Sequence, residues 1–127
     1  MDKIIYLDNA ASTPLDKKVV LEMAKLYEYY GNPSSYNDCG RGAREYIESA
    51  RLKIARFLGA HSDEIIFTSS GTEANNLALL GLVNSFIKGE IISTPIEHPS
   101  VLKSLGFLKK KGFKIKFLKV DNKGLVG

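Results

Sequence analysis

Apolar residues recur along this chain with two textures, and the change falls near residue 64. The opening run IIYLDNAASTP is strand-like, breaks at Asp8 and ends at Pro14. Over about 16–30, Val20, Met23, Ala24 and Tyr27 follow the i, i+3, i+4, i+7 rule and predict a helix with one apolar stripe. Gly31 and Pro33 are its stop. GNPSSYNDCG reads as a loop by composition. A second helix is predicted over about 42–58, where Ala43, Tyr46, Ile47, Ala50, Ile54, Phe57 and Leu58 share a face and Gly59 ends it.

From Glu64 onward short apolar runs alternate with longer helical ones. EIIF (64–67) is predicted as a strand, and the helix after SSGT is predicted to run to about Lys88, before Gly89. EIIS (90–93) is a second strand. Pro99 suits the first turn of a helix that carries Val101, Leu102, Leu105 and Leu108 and ends at Gly112. KIKFLKV (114–120) alternates and is a third strand. The expectation is an α/β fold: N-terminal helices, then a βαβαβ unit with a parallel sheet and right-handed crossovers. Ligands of such sheets bind beyond the carboxyl ends of the strands, where both SSGT and TPIEH fall. VDNKGLVG follows the third strand with no closing element, so the sheet is expected to be incomplete, the first portion of something larger.

Composition narrows this only a little. The 127 residues carry a formal net charge of +4, much of it in KKKGFKIK (109–116). That run reads as a solvated helix end followed by a strand with an outward lysine face, not as a nucleic-acid surface. Cys39 is the single cysteine, so no internal disulfide forms and a reducing compartment fits. No apolar run reaches the ~20 residues of a membrane span, and the N-terminus lacks a signal-peptide core. The expected setting is cytoplasmic, with neither membrane nor nucleic acid as partner.

The strand-to-helix turns carry no G-x-G-x-x-G, no P-loop Gly-Lys-Ser/Thr and no G-x-S-x-G. With two histidines, His61 and His98, and one cysteine, no zinc set has compatible spacing, and Glu97 beside His98 does not make one. His61 is expected at the surface. The stretch SSGTEANN (69–76) has two readings. A helix N-terminus lined with small residues binds phosphate, and Ser or Thr there also caps a helix without any ligand. His98, on the neighbouring exit loop, is either a helix-entry residue before Pro99 or an imidazole facing the same edge. A phosphate at Gly71 and Thr72 beside an imidazole points to pyridoxal 5′-phosphate.

Five stretches then coincide: YLDNAASTP (6–14), GNPSS (31–35), Ala50-Arg51, EIIFTSSGTEANNLAL (64–79) and Glu97-His98. In that order the chain resembles the N-terminal part of cysteine desulfurases of the NifS/IscS type, within the class V aminotransferase family. The resemblance implies the large domain of PLP fold type I, with 1–127 its N-terminal portion: 1–60 an arm and helices, 61–127 the start of the parallel sheet. By matching position it implies that Gly71 and Thr72 contact the cofactor phosphate. His98 would stack on the ring and take part in catalysis. It further implies a homodimer, L-cysteine as substrate, L-alanine and an enzyme persulfide as products, and a sulfur-acceptor protein serving iron–sulfur cluster or thio-cofactor synthesis. A selenocysteine lyase, an aminotransferase of the same family and a non-catalytic remnant or partner module are the alternatives. Asn37 stands where family members commonly have histidine. Cys39 takes a place usually apolar and is expected to be a buried or semi-buried filler. The family's cofactor-holding lysine, the aspartate facing the ring nitrogen and the persulfide-bearing cysteine are expected beyond Gly127, so this chain alone is expected to be inactive.

Overall fold

The computed structural model describes residues 5–85 and 88–127. The chain divides into two units, Met1–Ile65 and Ile66–Gly127.

In the first unit, helix α1 spans Lys17–Leu26, and Asp16 caps it by accepting from the Lys18 N–H at 2.7 Å. It stops at Leu26 and not at Tyr30, because the chain tightens there: Tyr27 N–H bonds Ala24 O and Tyr29 N–H bonds Leu26 O, both three residues back. The predicted stripe is real as a pattern, yet α1 buries no residue, and Val20, Met23 and Tyr27 are exposed.

Helix α2 spans Asp38–Leu58, so it begins before Gly42, inside the stretch read as loop. Asn37 is the reason: its side chain accepts from Gly40 N–H at 2.8 Å, with Asp38 in the first turn to meet the helix dipole. The C-terminus falls as predicted, at Gly59 with φ +67°. Cys39 is exposed, contrary to expectation. It lies on α2's first turn, where Gly31 and Gly40 occupy the close approach and leave its own side chain outside.

Those two glycines mark where GNPSS folds back on the start of α2. A Cβ on Gly31 would sit 2.1 Å from the Cys39 carbonyl oxygen, and one on Gly40 would sit 2.6 Å from the carbonyl oxygens of both Asn32 and Ser35. These are backbone atoms that no rotamer change moves away. Gly31→Ala is therefore expected to cost roughly 3 kcal/mol or more, in the upper range for single substitutions. Gly42→Ala meets nothing within 4 Å, and inside a helix it is expected to stabilise by up to about 1 kcal/mol. Urea titrations followed by helical circular dichroism check this; the two variants behaving alike would contradict it.

The strand predicted over 64–67 is not formed. Ser62–Glu64 is a 3₁₀ turn, and Ile65 N–H turns back to Ser62 O at 3.3 Å. The Arg51 guanidinium takes the Ile65 carbonyl. The beginning of the run is thus claimed by a turn and an arginine, and residues 65–68 belong to no strand.

In the second unit, helix α3 spans Gly71–Ser85. Its predicted extension to Lys88 crosses 86–87, which lie outside the described residues. Strand β1 (Glu90–Ser93), helix α4 (Pro99–Lys110) and strand β2 (Lys114–Phe117) follow in the predicted order. The strands pair in parallel, Glu90 opposite Lys114 through Ser93 opposite Phe117. The α/β reading therefore stands in β1–α4–β2. β2 stops at Phe117, not Val120, because β1 ends at Ser93 and only Leu118 N–H still reaches it, at 2.8 Å. Leu105, Leu108 and Phe113 are buried, with Leu79, Leu80, Ile91, Val101 and Ile115 packed around them. Within the tail, Val120 bridges Val126 in antiparallel fashion, and the Asp121 side chain accepts from Lys123 and Leu125 N–H. On the lysine face, Lys116 and Lys114 reach Glu90 at 2.6 and 3.5 Å. No helix among the described residues is long and apolar enough to cross a membrane.

Candidate functional site

Helices α3 and α4 pack along each other with their N-terminal ends side by side. Asn75, one turn into α3, donates from Nδ2 to Ser100 Oγ on the first turn of α4 at 2.9 Å. One step further along, Ser104 Oγ donates to Asn76 Oδ1 at 2.7 Å. Since α4 begins just after β1, this end lies at the carboxyl edge of the β1–β2 pair. Gly71, Thr72 and His98 are therefore brought to one end of one unit: Gly71 and Thr72 open α3, and His98 is the N-cap of α4.

The α3 entrance is only partly capped from within. Ser70 Oγ accepts from Glu73 N–H at 3.2 Å, and Ala74 N–H bonds Ser70 O at 3.0 Å. Among the described residues neither Gly71 N–H nor Thr72 N–H has a partner. These are two of the four N–H groups a helix leaves open, at the positive end of its dipole. Gly71 has no positive φ, and the place of its Cβ is empty out to 4 Å. Open space alone does not set it apart, because Gly81 and Gly106 share it. Its place on a turn with unpartnered donors does.

Glu73 in that turn folds back, its carboxylate accepting from Ser69 Oγ at 2.7 Å and Ser69 N–H at 2.6 Å. These bonds, the hydroxyl's first, hold its carboxyl below the usual glutamate range. A carboxyl depressed by folding stabilises the fold above its unfolded pKa and loses that contribution as pH falls through its folded value. Acidification below the ordinary glutamate range should therefore release the Ser69 amide. A pH titration of that amide's NMR shift checks this, and Glu73→Gln should abolish the step.

His98 caps α4 through its ring: Nδ1 lies 3.2 Å from Ser100 N–H and 2.8 Å from Ser100 Oγ. Thr94 Oγ1 donates to Glu97 Oε1 at 2.9 Å and closes the loop that delivers it. Sequence reasoning singled out Gly71, Thr72 and His98, but not Asn75 and Ser100, which hydrogen bonds join to His98. The available signal was Ser100 two residues after His98, opposite two asparagines on the preceding helix. A cavity of about 410 Å³ in the first unit is lined by Tyr29, Gly42, Glu45, Tyr46 and Ser49. Its one charge, Glu45, would repel an anion.

The chain as a whole has counterparts among solved structures. A NifS-like protein superposes with a TM-score of 0.87 at 43% identity, covering 94% of this chain and 34% of that one. A structure described as SspA in complex with cysteine gives 0.84 at 39% identity, over 93% of this chain and 35% of that one. The aminotransferase class-V family model matches residues 5–127, and the chain belongs to that family. Cysteine desulfurase IscS of Dictyoglomus turgidum is 50% identical over 99% of this chain and 33% of its own length. Putative cysteine desulfurase IscS 1 of Bacillus subtilis is 45% identical over 96% of this chain and 33% of its own. The chain spans about a third of the length of the curated relatives it matches.

Proposed function

We propose that this chain supplies the phosphate- and ring-binding part of a pyridoxal phosphate-dependent cysteine desulfurase. The observation that carries the reading is the α3 entrance: Gly71 and Thr72 N–H without a partner among the described residues, with empty space where a Cβ at Gly71 would stand. That cradle fits a phosphate, whose charge complements the helix terminus. When bound, pyridoxal phosphate supplies an electron sink for removing sulfur from an amino acid.

This chain's own residues would hold and orient that group. Gly71 and Thr72 N–H groups donate to phosphate oxygens. His98 would present its ring face to the pyridine and, through Nε2, a site for a proton. L-Cysteine as substrate, with L-alanine and an enzyme persulfide as products, follows the desulfurase relatives, and the neighbour in complex with cysteine supports it. A sulfur-acceptor protein, a role in iron–sulfur cluster assembly, a homodimeric enzyme and a cytoplasmic setting belong to the same reading.

The test is amide NMR of the chain titrated with pyridoxal phosphate and, separately, with inorganic phosphate. Both ligands should shift the Gly71 and Thr72 amides, and only pyridoxal phosphate should shift the His98 ring. Unmoved Gly71 and Thr72 amides with either ligand would overturn the reading.

A further inference from the structure

We propose that Asn75 and Ser100 are positioning residues for His98, holding its neutral ring as the Nε2–H tautomer. Nδ1 is thereby committed to the α3–α4 seam, and Nε2 is left as the one ring nitrogen available to a ligand. This rests on the reading above for what Nε2 faces, but not for the tautomer itself.

The argument is one of donors and acceptors. Asn75 Nδ2 can only donate, and it does so to Ser100 Oγ at 2.9 Å. With a lone pair engaged there, the Ser100 hydroxyl proton is free to point at His98 Nδ1, 2.8 Å away. The Ser100 backbone N–H, which also can only donate, lies 3.2 Å from the same nitrogen. Two donors converge on Nδ1, so a proton there would face an N–H head-on. The unprotonated Nδ1 accepts both, and the proton of the neutral ring sits on Nε2. Nε2 has no partner among the described residues.

Burial makes the arrangement selective. Ser100 is 8% exposed and Asn75 half-buried, so water competes poorly for the hydroxyl. The cap and the tautomer are one device. Serine or aspartate is the usual N-cap, whereas here an imidazole fills the role and its capping bond fixes which nitrogen faces outward. Any proton that His98 gives or takes at a ligand therefore passes through Nε2.

The test reads the tautomer directly, with no cofactor present. The full chain is labelled with ¹⁵N-histidine and its ring nitrogens are recorded above the ordinary histidine titration range. His61, the other histidine, is identified by His61→Gln and serves as the internal reference. His98 should show an unprotonated Nδ1 and a protonated Nε2. Ser100→Ala should move both signals toward the averaged position of mixed tautomers. Asn75→Ala should move them less in the same direction, and Ser100→Thr, which keeps a hydroxyl, should restore them. Ser104→Ala is the packing control: Ser104 lies in the same seam, 3% exposed, and bonds Asn76 and the Ser100 backbone carbonyl, but neither the Ser100 hydroxyl nor His98. It should leave the signals in place. A parent ring protonated on Nδ1, unaltered signals in Ser100→Ala, or an equal effect of Ser104→Ala would each overturn the proposal. Adding pyridoxal phosphate afterwards reports on the cofactor reading alone.

Discussion

Leu108→Ala is expected to remove about 2–5 kcal/mol from the second unit, the range for deleting a buried leucine side chain. Leu108 is fully buried, and its buried apolar neighbours are Leu105 and Phe113. Small domains hold only about 5–15 kcal/mol in all. The second unit should therefore lose cooperative folding or come close to it. Phe107→Ala, one residue away, is the control. Phe107 is 46% exposed with Lys111 lying over its ring, so its truncation should cost well under half as much. Amide exchange at Ile91 and Ile115, on the paired strands beside the cluster, reads the difference. Equal loss of protection in the two variants would show that Leu108 is not the core of this unit.

The elements read most cleanly from sequence are those whose signals are local. Pro99 after His98 marked the start of α4, Gly59 the end of α2, and the spacing of Val101, Leu105 and Leu108 the face that packs. The misreadings arise where a distant atom decides. Its Gly, Pro, Ser and Asn content made 31–40 look like loop, yet Gly40 is a glycine because Asn32 and Ser35 carbonyls press on it inside a helix. The Asn37 cap that starts this helix lies inside that stretch and is seen only in the folded chain. At 64–67 the apolar run suggested a strand, but strand formation depends on who takes the backbone groups, and Arg51 takes the Ile65 carbonyl. Nothing in EIIF predicts that.

The site divides in the same way. Gly71, Thr72 and His98 could be placed at one end from sequence because SSGT leads into a helix and Pro99 follows His98 at the start of the next one. Asn75 and Ser100 could not, because a single polar residue on each of two helices has no period to betray it. Their meeting depends on the register of α3 against α4, a property of the packed unit. The exposed stripe of α1 carries a related lesson: Val20, Met23 and Tyr27 have the spacing of a buried face and remain open in this chain. Periodicity identifies a surface made for packing but does not identify what packs there.

Gly71→Ala separates a glycine kept for the fold from one kept for a ligand. The fold does not need it: φ is not positive, and an added Cβ meets nothing within 4 Å. Alanine is the better helix residue by up to about 1 kcal/mol, so the variant should be as stable as the parent or slightly more so. A phosphate held against the Gly71 and Thr72 N–H groups would meet that methyl. Losing or lengthening one hydrogen bond to a charged group costs about 1.5–3 kcal/mol. That is roughly a tenfold to hundredfold loss of affinity. Pyridoxal phosphate and inorganic phosphate should weaken together, because they share the contact. His98→Ala should behave differently, reducing affinity for pyridoxal phosphate while leaving that for inorganic phosphate unchanged, since only the former has a ring to stack. Thermal melts of the free chain and fluorescence or calorimetric titrations with both ligands provide the four numbers. A Gly71→Ala variant that is destabilised but binds as well as the parent would mean that the helix entrance serves the fold alone. The phosphate assignment at Gly71 and Thr72 would then be wrong.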